Sequence, residues 1–187
     1  AEGVPVFVPL DEERGWAVDI GAFQSAITKK TKALVIASPT NPTGTIFARA
    51  AIEEIARLAK EHNFWIITDE PYSFLTFDGK EIFSPIQLPE IRDRCIACFS
   101  FSKEFAMSGF RVGYVYAPSS VMQHMVKIHD AVNVTVATVS QYAAIEALQG
   151  PRDAVEYFKQ EFTKRRDLTA SRLEKLGDLF SFHKPEG

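Results

Sequence analysis

The sequence has only two cysteines, and their placement excludes most of the chemistry that cysteine supports. Cys95 and Cys98 form a single C-x-x-C pair, and no second pair of cysteines or histidines completes a zinc site. Residues three apart on a strand point to opposite faces of a sheet. We therefore expect both thiols to pack in the core rather than act as a redox pair, and we predict no metal.

Large charge and long apolar runs are also missing. The net charge is −3 over 187 residues, which gives no reason to expect nucleic acid or an anionic membrane surface as a partner. No apolar stretch approaches the roughly 18 residues that span a bilayer. No amino-terminal signal pattern is recognisable, so we expect the reducing cytoplasm as the compartment.

Strand-like and helix-like segments alternate along the chain. The expected strands are residues 4–10, 33–38, 64–68, 95–101 and 111–117. The expected helices are residues 20–30, 48–61, 121–128, 136–148 and 153–176. Strand, helix and strand in this rhythm predict an α/β fold with a mainly parallel sheet sandwiched by helices, followed by a long connector helix.

Three apolar strands that we expect to be buried are followed by polar side chains. Asn41, Asp69 and Lys103 lie at or just past the ends of these strands, and Tyr72, Ser100 and Arg111 lie in the same stretches of sequence. Ligands of open parallel sheets bind at the carboxyl ends of the strands, so we expect Asn41, Asp69 and Lys103 to converge. Together, these six side chains suit a phosphorylated aromatic aldehyde. A lysine forms a Schiff base with the aldehyde, a carboxylate pairs with a pyridine nitrogen, and a guanidinium holds a phosphate.

The same positions carry a family resemblance. The matching runs are Ser38-Pro-Thr-Asn-Pro-Thr-Gly44, Asp69-Glu-Pro-Tyr72, Ser100-Phe-Ser-Lys103 and Arg111-Val-Gly-Tyr114. In order and spacing they resemble the class I/II aminotransferases, which are fold-type I enzymes dependent on pyridoxal 5′-phosphate. The resemblance implies that fold and that cofactor for this chain.

The resemblance also implies a role for each catalytic residue. Lys103 would bind the cofactor aldehyde and shuttle the proton of the 1,3-shift. Asp69 would lie at the pyridine nitrogen, and Tyr72 and Asn41 would lie at the phenolic oxygen. The implied catalytic set is therefore Lys103, Asp69 and Tyr72.

The phosphate, the substrates and the partners are implied in the same way. Ser100 and Arg111 would hold the cofactor phosphate. The implied activity is amino-group transfer between an amino acid and a 2-oxo acid, with aspartate and 2-oxoglutarate as the default pair. The resemblance implies a homodimer, and it implies neither nucleic acid nor membrane as a partner.

The resemblance divides the chain into three parts. Residues 1–150 are expected to form part of a cofactor-binding large domain, residues 151–178 a connector helix, and residues 179–187 the start of a small domain. Family members also carry an aromatic residue that stacks on the cofactor and an arginine that binds the substrate α-carboxylate. Neither is recognisable here, so we expect the 187-residue chain alone to be inactive or nearly so.

Three alternatives remain open from the sequence. A pyridoxal phosphate-dependent lyase of the same fold, acting by β-elimination at a C–S bond, would use the same ligands. A folded fragment without catalytic activity would keep part of the pocket. Ser100-Phe-Ser-Lys103 also matches the Ser-x-x-Lys pattern of certain acyl hydrolases, a remote alternative. That chemistry needs its serine at the start of a helix, whereas Ser100 is expected to end a strand.

Overall fold

A computed structural model of the chain describes residues 3–187 and contains two sheets. Strands β1 (Leu10–Asp11) and β2 (Ala17–Val18) form a short antiparallel ribbon. The central sheet consists of β3 (Ala33–Ala37), β4 (Trp65–Asp69), β5 (Cys95–Ser100) and β6 (Gly113–Tyr116), in that order. Strands β3, β4 and β5 run parallel and β6 is antiparallel to β5. The predicted α/β fold with a mainly parallel sheet is confirmed.

Six helices accompany these strands. They are α1 (Ile20–Ala26), α2 (Arg49–His62), α3 (Phe101–Glu104), α4 (Ser119–Asn133), α5 (Thr138–Gln149) and α6 (Asp153–Glu174). Short 3₁₀ segments lie at Pro85–Gln87, Pro89–Arg94 and Ser108–Phe110. Helix α1 starts as predicted at Ile20, and it is capped by Asp19, whose carboxylate accepts a hydrogen bond from the Ala22 N–H at 2.9 Å. It ends at Ala26, four residues earlier than predicted.

The main hydrophobic core lies between α2 and one face of the central sheet. Ile52, Ile55 and Leu58, which repeat at helical spacing, are buried against Ile66 of β4 and Cys95 of β5. This apolar stripe predicted the helix and its buried face correctly. The helix ends at Asn63, whose left-handed backbone turns the chain into β4.

Two expectations about strands are wrong. Residues 4–9 form no strand; Val4 and Phe7 are exposed, and Pro5 and Pro9 have no N–H to donate to a ladder. Strand β3 is less buried than the sequence predicted, because only one of its faces packs against the core, through Leu34 and Ile36. Val35 in its centre is 68 % exposed.

The two cysteines occupy opposite faces of β5, as their spacing predicted. Cys95 is fully buried beneath α2, and burial raises the pKa of its thiol to about 12. At pH 8 its thiolate fraction will therefore be only about one part in ten thousand. We expect iodoacetamide at pH 8 to leave Cys95 unmodified in the folded chain and to alkylate it in urea, as measured by peptide mass spectrometry. Alkylation of Cys95 without denaturant would contradict this burial.

Within residues 3–187, no helix is both long enough and apolar enough to cross a membrane. Within the same range, no group of three or more His, Cys, Asp or Glu side chains is placed to bind a metal ion.

Candidate active site

The candidate site is built by loops that leave the carboxyl ends of adjacent strands. Asp69 is the last residue of β4, and its register partners are Ala37 on β3 and Cys98 on β5. Asp69 therefore lies in the middle of the edge from which the loop after β3 and the turn after β5 also start. Parallel strands place their ligand-binding loops at this edge.

A tight turn after β3 presents Asn41. The Thr40 carbonyl accepts a hydrogen bond from the Gly44 N–H at 2.9 Å, and the Thr40 hydroxyl accepts one from the Thr45 N–H at 3.0 Å. Gly44 has a φ of +66°, a conformation that favours glycine. The base of the turn is thus buried and hydrogen-bonded, while Asn41 stays exposed near its tip.

Three of the predicted site residues come together above this edge. The Asn41 amide Nδ2 donates a hydrogen bond to the Tyr72 hydroxyl at 3.3 Å, although the two residues lie on different loops. The Lys103 Nζ lies 6.0 Å from the centre of the Tyr72 ring. Amide, phenol and amine are therefore grouped around a common space.

Asp69 and Glu70 are adjacent carboxylates in different environments. Asp69 is exposed, and its charge, added to burial, raises the pKa of the neighbouring Cys98 thiol. Glu70 is buried and accepts hydrogen bonds from the hydroxyls of Thr68 (2.7 Å) and Ser84. Glu70 thus anchors the loop that carries Tyr72, a role that no pattern in the sequence predicted.

Ser100 begins a one-turn helix that was not predicted. Its hydroxyl accepts a hydrogen bond from the Ser102 N–H at 3.1 Å and caps α3, which contains Lys103. The expectation that Ser100 only ends a strand is therefore incomplete: it ends β5 and starts α3, because its hydroxyl satisfies a free N–H at the helix start. Within residues 3–187 its hydroxyl makes no hydrogen bond to the Lys103 amine, the contact that a Ser-x-x-Lys hydrolase would require.

Arg111 lies two residues before Gly113, the register partner of Ser100. The Phe101 N–H donates to the Val112 carbonyl at 3.3 Å. The Arg111 Nη1 donates to the Ser108 carbonyl at 2.9 Å, so the side chain folds back on its own turn. No hydrogen bond joins Ser100 to Arg111 in the described chain.

The site is an open edge rather than an enclosed cavity. Asn41, Asp69, Lys103 and Arg111 are all exposed. Two clefts of about 510 and 580 Å³ lie nearby, and both are lined by Ile46, Phe47 and Glu186 instead of by these residues. Sequence reasoning missed the carboxyl-terminal segment, residues 183–187, which packs against the Asn41 turn.

Comparison with known proteins connects this geometry to a family. The family profile described as "Aminotransferase class I and II" matches residues 1–187, the whole chain. The chain belongs to the class I and II aminotransferase family. The predicted family is therefore confirmed.

Relatives within the aminotransferase family are about twice as long. A putative aminotransferase, YugH, of Bacillus subtilis is 37% identical over 187 residues, which are 100% of this chain and 48% of the relative. An aspartate aminotransferase of Pyrococcus abyssi is 40% identical over 179 residues, 95% of this chain and 46% of the relative. The chain thus spans about half the length of the curated relatives it matches.

Solved aminotransferase structures share the fold. The crystal structure of an aromatic aminotransferase from Pyrococcus horikoshii superposes with a TM-score of 0.94 at 38% identity, covering 98% of this chain and 49% of that one. A mutant aspartate aminotransferase from Thermus thermophilus gives a TM-score of 0.93 at 36% identity, covering 99% and 50%. The α/β architecture described above is therefore that of the aminotransferase family.

Proposed function

We propose that this chain is the cofactor-binding part of a pyridoxal 5′-phosphate-dependent aminotransferase. The observation that carries the proposal is the convergence of Asn41, Tyr72 and Lys103, from two loops and helix α3, at the carboxyl edge of a parallel sheet. An amide and a phenol that share a hydrogen bond are placed to bind one phenolic oxygen of the cofactor together. An amine beside them suits the neighbouring aldehyde.

The remaining side chains fit the other groups of this cofactor. The Asp69 carboxylate is exposed at the end of β4, between the loop that carries Asn41 and helix α3, which carries Lys103, and there it suits a protonated pyridine nitrogen. The Ser100 hydroxyl accepts one hydrogen bond and keeps its own hydrogen to donate. The Arg111 guanidinium commits one N–H to Ser108 and keeps four for a phosphate.

Each residue then has a defined task in amino-group transfer. The bound cofactor supplies an aldehyde that condenses with amines and an aromatic ring that withdraws electrons from the substrate carbon. Lys103 would hold the cofactor aldehyde and move a proton at its Nζ. Asp69 would stabilise a protonated ring nitrogen. Tyr72 and Asn41 would donate hydrogen bonds to the phenolic oxygen and stabilise negative charge there.

The proposed substrates are an amino acid and a 2-oxo acid. Relatives named as aspartate and aromatic-amino-acid aminotransferases support this class, with aspartate and 2-oxoglutarate as the default pair. A lyase acting at a C–S bond would need the same ligands, and no contact in the site favours it over transfer. Both the cytoplasmic location and the absence of nucleic acid and membrane partners stay predictions.

The division of the chain into domains and its assembly into a homodimer are also proposals. We propose residues 1–150 as part of the cofactor-binding domain, 151–178 as the connector, and 179–187 as part of a second domain. All proposed site residues fall within the first part, and α6 lies within the connector. We also propose a homodimer; apolar side chains exposed on α4 and α5, among them Val132, Val139 and Tyr142, support it.

For the 187-residue chain alone, we propose cofactor binding with little or no turnover. Lys103 and Asp69 are exposed to water, whereas transfer chemistry gains most of its electrostatic advantage in a site from which water is excluded. We therefore expect a signal from bound cofactor without measurable amino-acid-dependent transfer. Measurable transamination by this chain would contradict that proposal.

Replacing Asp69 by asparagine tests the ring-nitrogen assignment. Asparagine keeps the size of the side chain but removes the charge that stabilises a protonated ring nitrogen. We expect the dissociation constant for pyridoxal 5′-phosphate to rise roughly tenfold or more, since a charge-assisted hydrogen bond contributes about 1.5–3 kcal/mol. An absorbance titration of the purified chain measures it.

A matched variant controls for the loss of one negative charge. Asp130→Asn removes an exposed carboxylate from α4 and should leave the dissociation constant within a factor of two or so of the original. Equal affinity in Asp69→Asn, Asp130→Asn and the unmodified chain would refute the assignment of Asp69 to the ring nitrogen.

A further inference from the structure

Two adjacent arginines on α6 have opposite environments. Arg165 is exposed, whereas the Arg166 side chain is only 4 % exposed. The Arg166 guanidinium forms a fork to both carboxylate oxygens of Asp78, at 2.8 Å each, and its Cζ lies 4.3 Å from the centre of the Phe77 ring. A buried arginine held by a bidentate carboxylate and an aromatic face has little freedom to move.

Arg166 and its neighbours hold the carboxyl-terminal segment, residues 183–187. The Arg166 Nη1 donates to the Pro185 carbonyl at 3.4 Å, and Asp167 pairs with Lys184 at 2.9 Å. The Phe77 N–H donates to the Glu186 carbonyl at 2.8 Å. The hydrogen bond from Arg166 also lowers the pKa of the Asp78 carboxyl, so a negative Asp78 faces the positive Arg166 guanidinium. We call these contacts of Arg166 and its neighbours with residues 183–187 the clasp.

The same segment holds the base of the Asn41 turn. The N–H groups of Glu186 and Gly187 both donate to the Gly44 carbonyl, at 2.8 and 2.9 Å. The Glu186 carboxylate accepts a hydrogen bond from the Ile46 N–H at 3.3 Å. A Cβ at Gly44 would lie 2.6 Å from the Gly187 oxygen, so the two backbones are packed without space between them.

We propose that Arg166 is a positioning residue for Asn41. Arg166 fixes the loop at Phe77 and Asp78, that loop fixes Glu186, and Glu186 with Gly187 fixes Gly44 at the base of the turn. Asn41 itself is exposed and has little packing of its own, so its amide stays at the Tyr72 hydroxyl only while the base is held.

Helix α6 suits this role because it is anchored on both sides of the site. Arg152, which precedes its first residue, pairs with Glu104, and its Cζ lies 5.4 Å from the centre of the Phe105 ring. Glu104 is the residue after Lys103. The helix rises about 21 Å between Arg152 and Arg166, so it spans the site as one rigid element.

Hydrogen–deuterium exchange tests the clasp without any cofactor. We compare Arg166→Met with Arg165→Met, its exposed neighbour, and follow the peptide that contains the amides of Gly44 and Thr45. We expect these amides to exchange roughly tenfold faster in Arg166→Met and at the original rate in Arg165→Met. Equal exchange in the two variants would overturn the proposal.

The effect on Asn41 is measured spectroscopically, and this step rests on the proposed function. Asn41→Ala removes a donor to the phenolic oxygen, so the apparent pKa of the lysine-linked cofactor should rise by about one pH unit. Arg166→Met should also raise this apparent pKa, and it should cause no further rise when it is combined with Asn41→Ala. A lower band amplitude with an unchanged pKa would mean that Arg166 only stabilises the fold, and would overturn the proposal.

A milder variant covers the case in which Arg166→Met does not fold. Asp78 is 60 % exposed, so Asp78→Asn removes one partner of the fork while Arg166 stays packed on Phe77. Asp78→Asn should speed the exchange of the Gly44 and Thr45 amides and raise the apparent pKa of the lysine-linked cofactor, both by less than Arg166→Met does. If neither quantity changed, the proposal would be overturned. If the unmodified chain shows no Lys103-dependent band, the proposed function fails, while the exchange comparison still decides whether Arg166 holds the turn.

Discussion

Replacing Lys103 by alanine will remove the visible absorption band that pyridoxal 5′-phosphate gives when bound in the site. The band requires an imine between the cofactor aldehyde and a lysine. Lys103 is the amine placed beside Tyr72, 6.0 Å from its ring centre. We expect at least a roughly tenfold loss of band amplitude. Any amino-group transfer that the site supports should fall by about 10²–10⁴-fold, the usual contribution of a positioned acid–base group.

Surface lysines also react slowly with aldehydes, so the comparison needs a matched variant. Lys127 is exposed on α4, a helix that contains none of the proposed site residues, and Lys127→Ala should keep the full band. Both variants are titrated with the cofactor under the same conditions, and borohydride reduction followed by peptide mapping identifies the modified lysine. A band of undiminished amplitude in Lys103→Ala would show that the cofactor is attached elsewhere, and the proposed function would fall.

Truncating Phe64 to alanine will destabilise the fold by about 3–5 kcal/mol, the usual cost of removing a buried phenylalanine. Phe64 is 1 % exposed and packs edge to face against Phe23, with ring centres 6.1 Å apart. It joins α1 to the layer between α2 and the sheet. A domain is usually stable by only about 5–15 kcal/mol, so this one change removes a large share of the free energy of unfolding.

Urea denaturation followed by circular dichroism measures this change. Phe180→Ala is the matched control, because Phe180 is 55 % exposed and should contribute less than about 0.5 kcal/mol. A difference below about 1 kcal/mol between the two variants would mean that Phe64 does not occupy the core.

Much of the fold follows from local patterns. The apolar stripe of α2 determined both its length and the face that it buries, and the apolar runs of β4 and β5 located the centre of the sheet. The strand predicted over residues 4–9 does not form, because an extended pattern does not by itself supply a hydrogen-bonding partner. The start of α3 was missed because one turn of helix leaves almost no periodic signal.

The candidate site was likewise predicted only in part. The motifs around Asn41, Tyr72 and Lys103 predicted a convergence that the structure reproduces, since each residue follows a strand whose position the pattern had already located. Ser100 and Arg111 were predicted to share a phosphate. The structure places Ser100 at the end of β5 and Arg111 two residues before β6, and in the described chain no hydrogen bond joins them. Their roles stay predictions.

The sequence by itself determined the family, the α/β class and the residues that line the edge of the sheet, because these depend on local order and spacing. Only the tertiary structure decided which of two adjacent arginines is buried. Arg165 and Arg166 differ by about 100° around one helix, and packing alone buries the second against Asp78. Asp69 had already been singled out by its motif, but only the tertiary structure showed that its neighbour Glu70 is buried and anchors a loop, because the two side chains point to opposite sides of one chain.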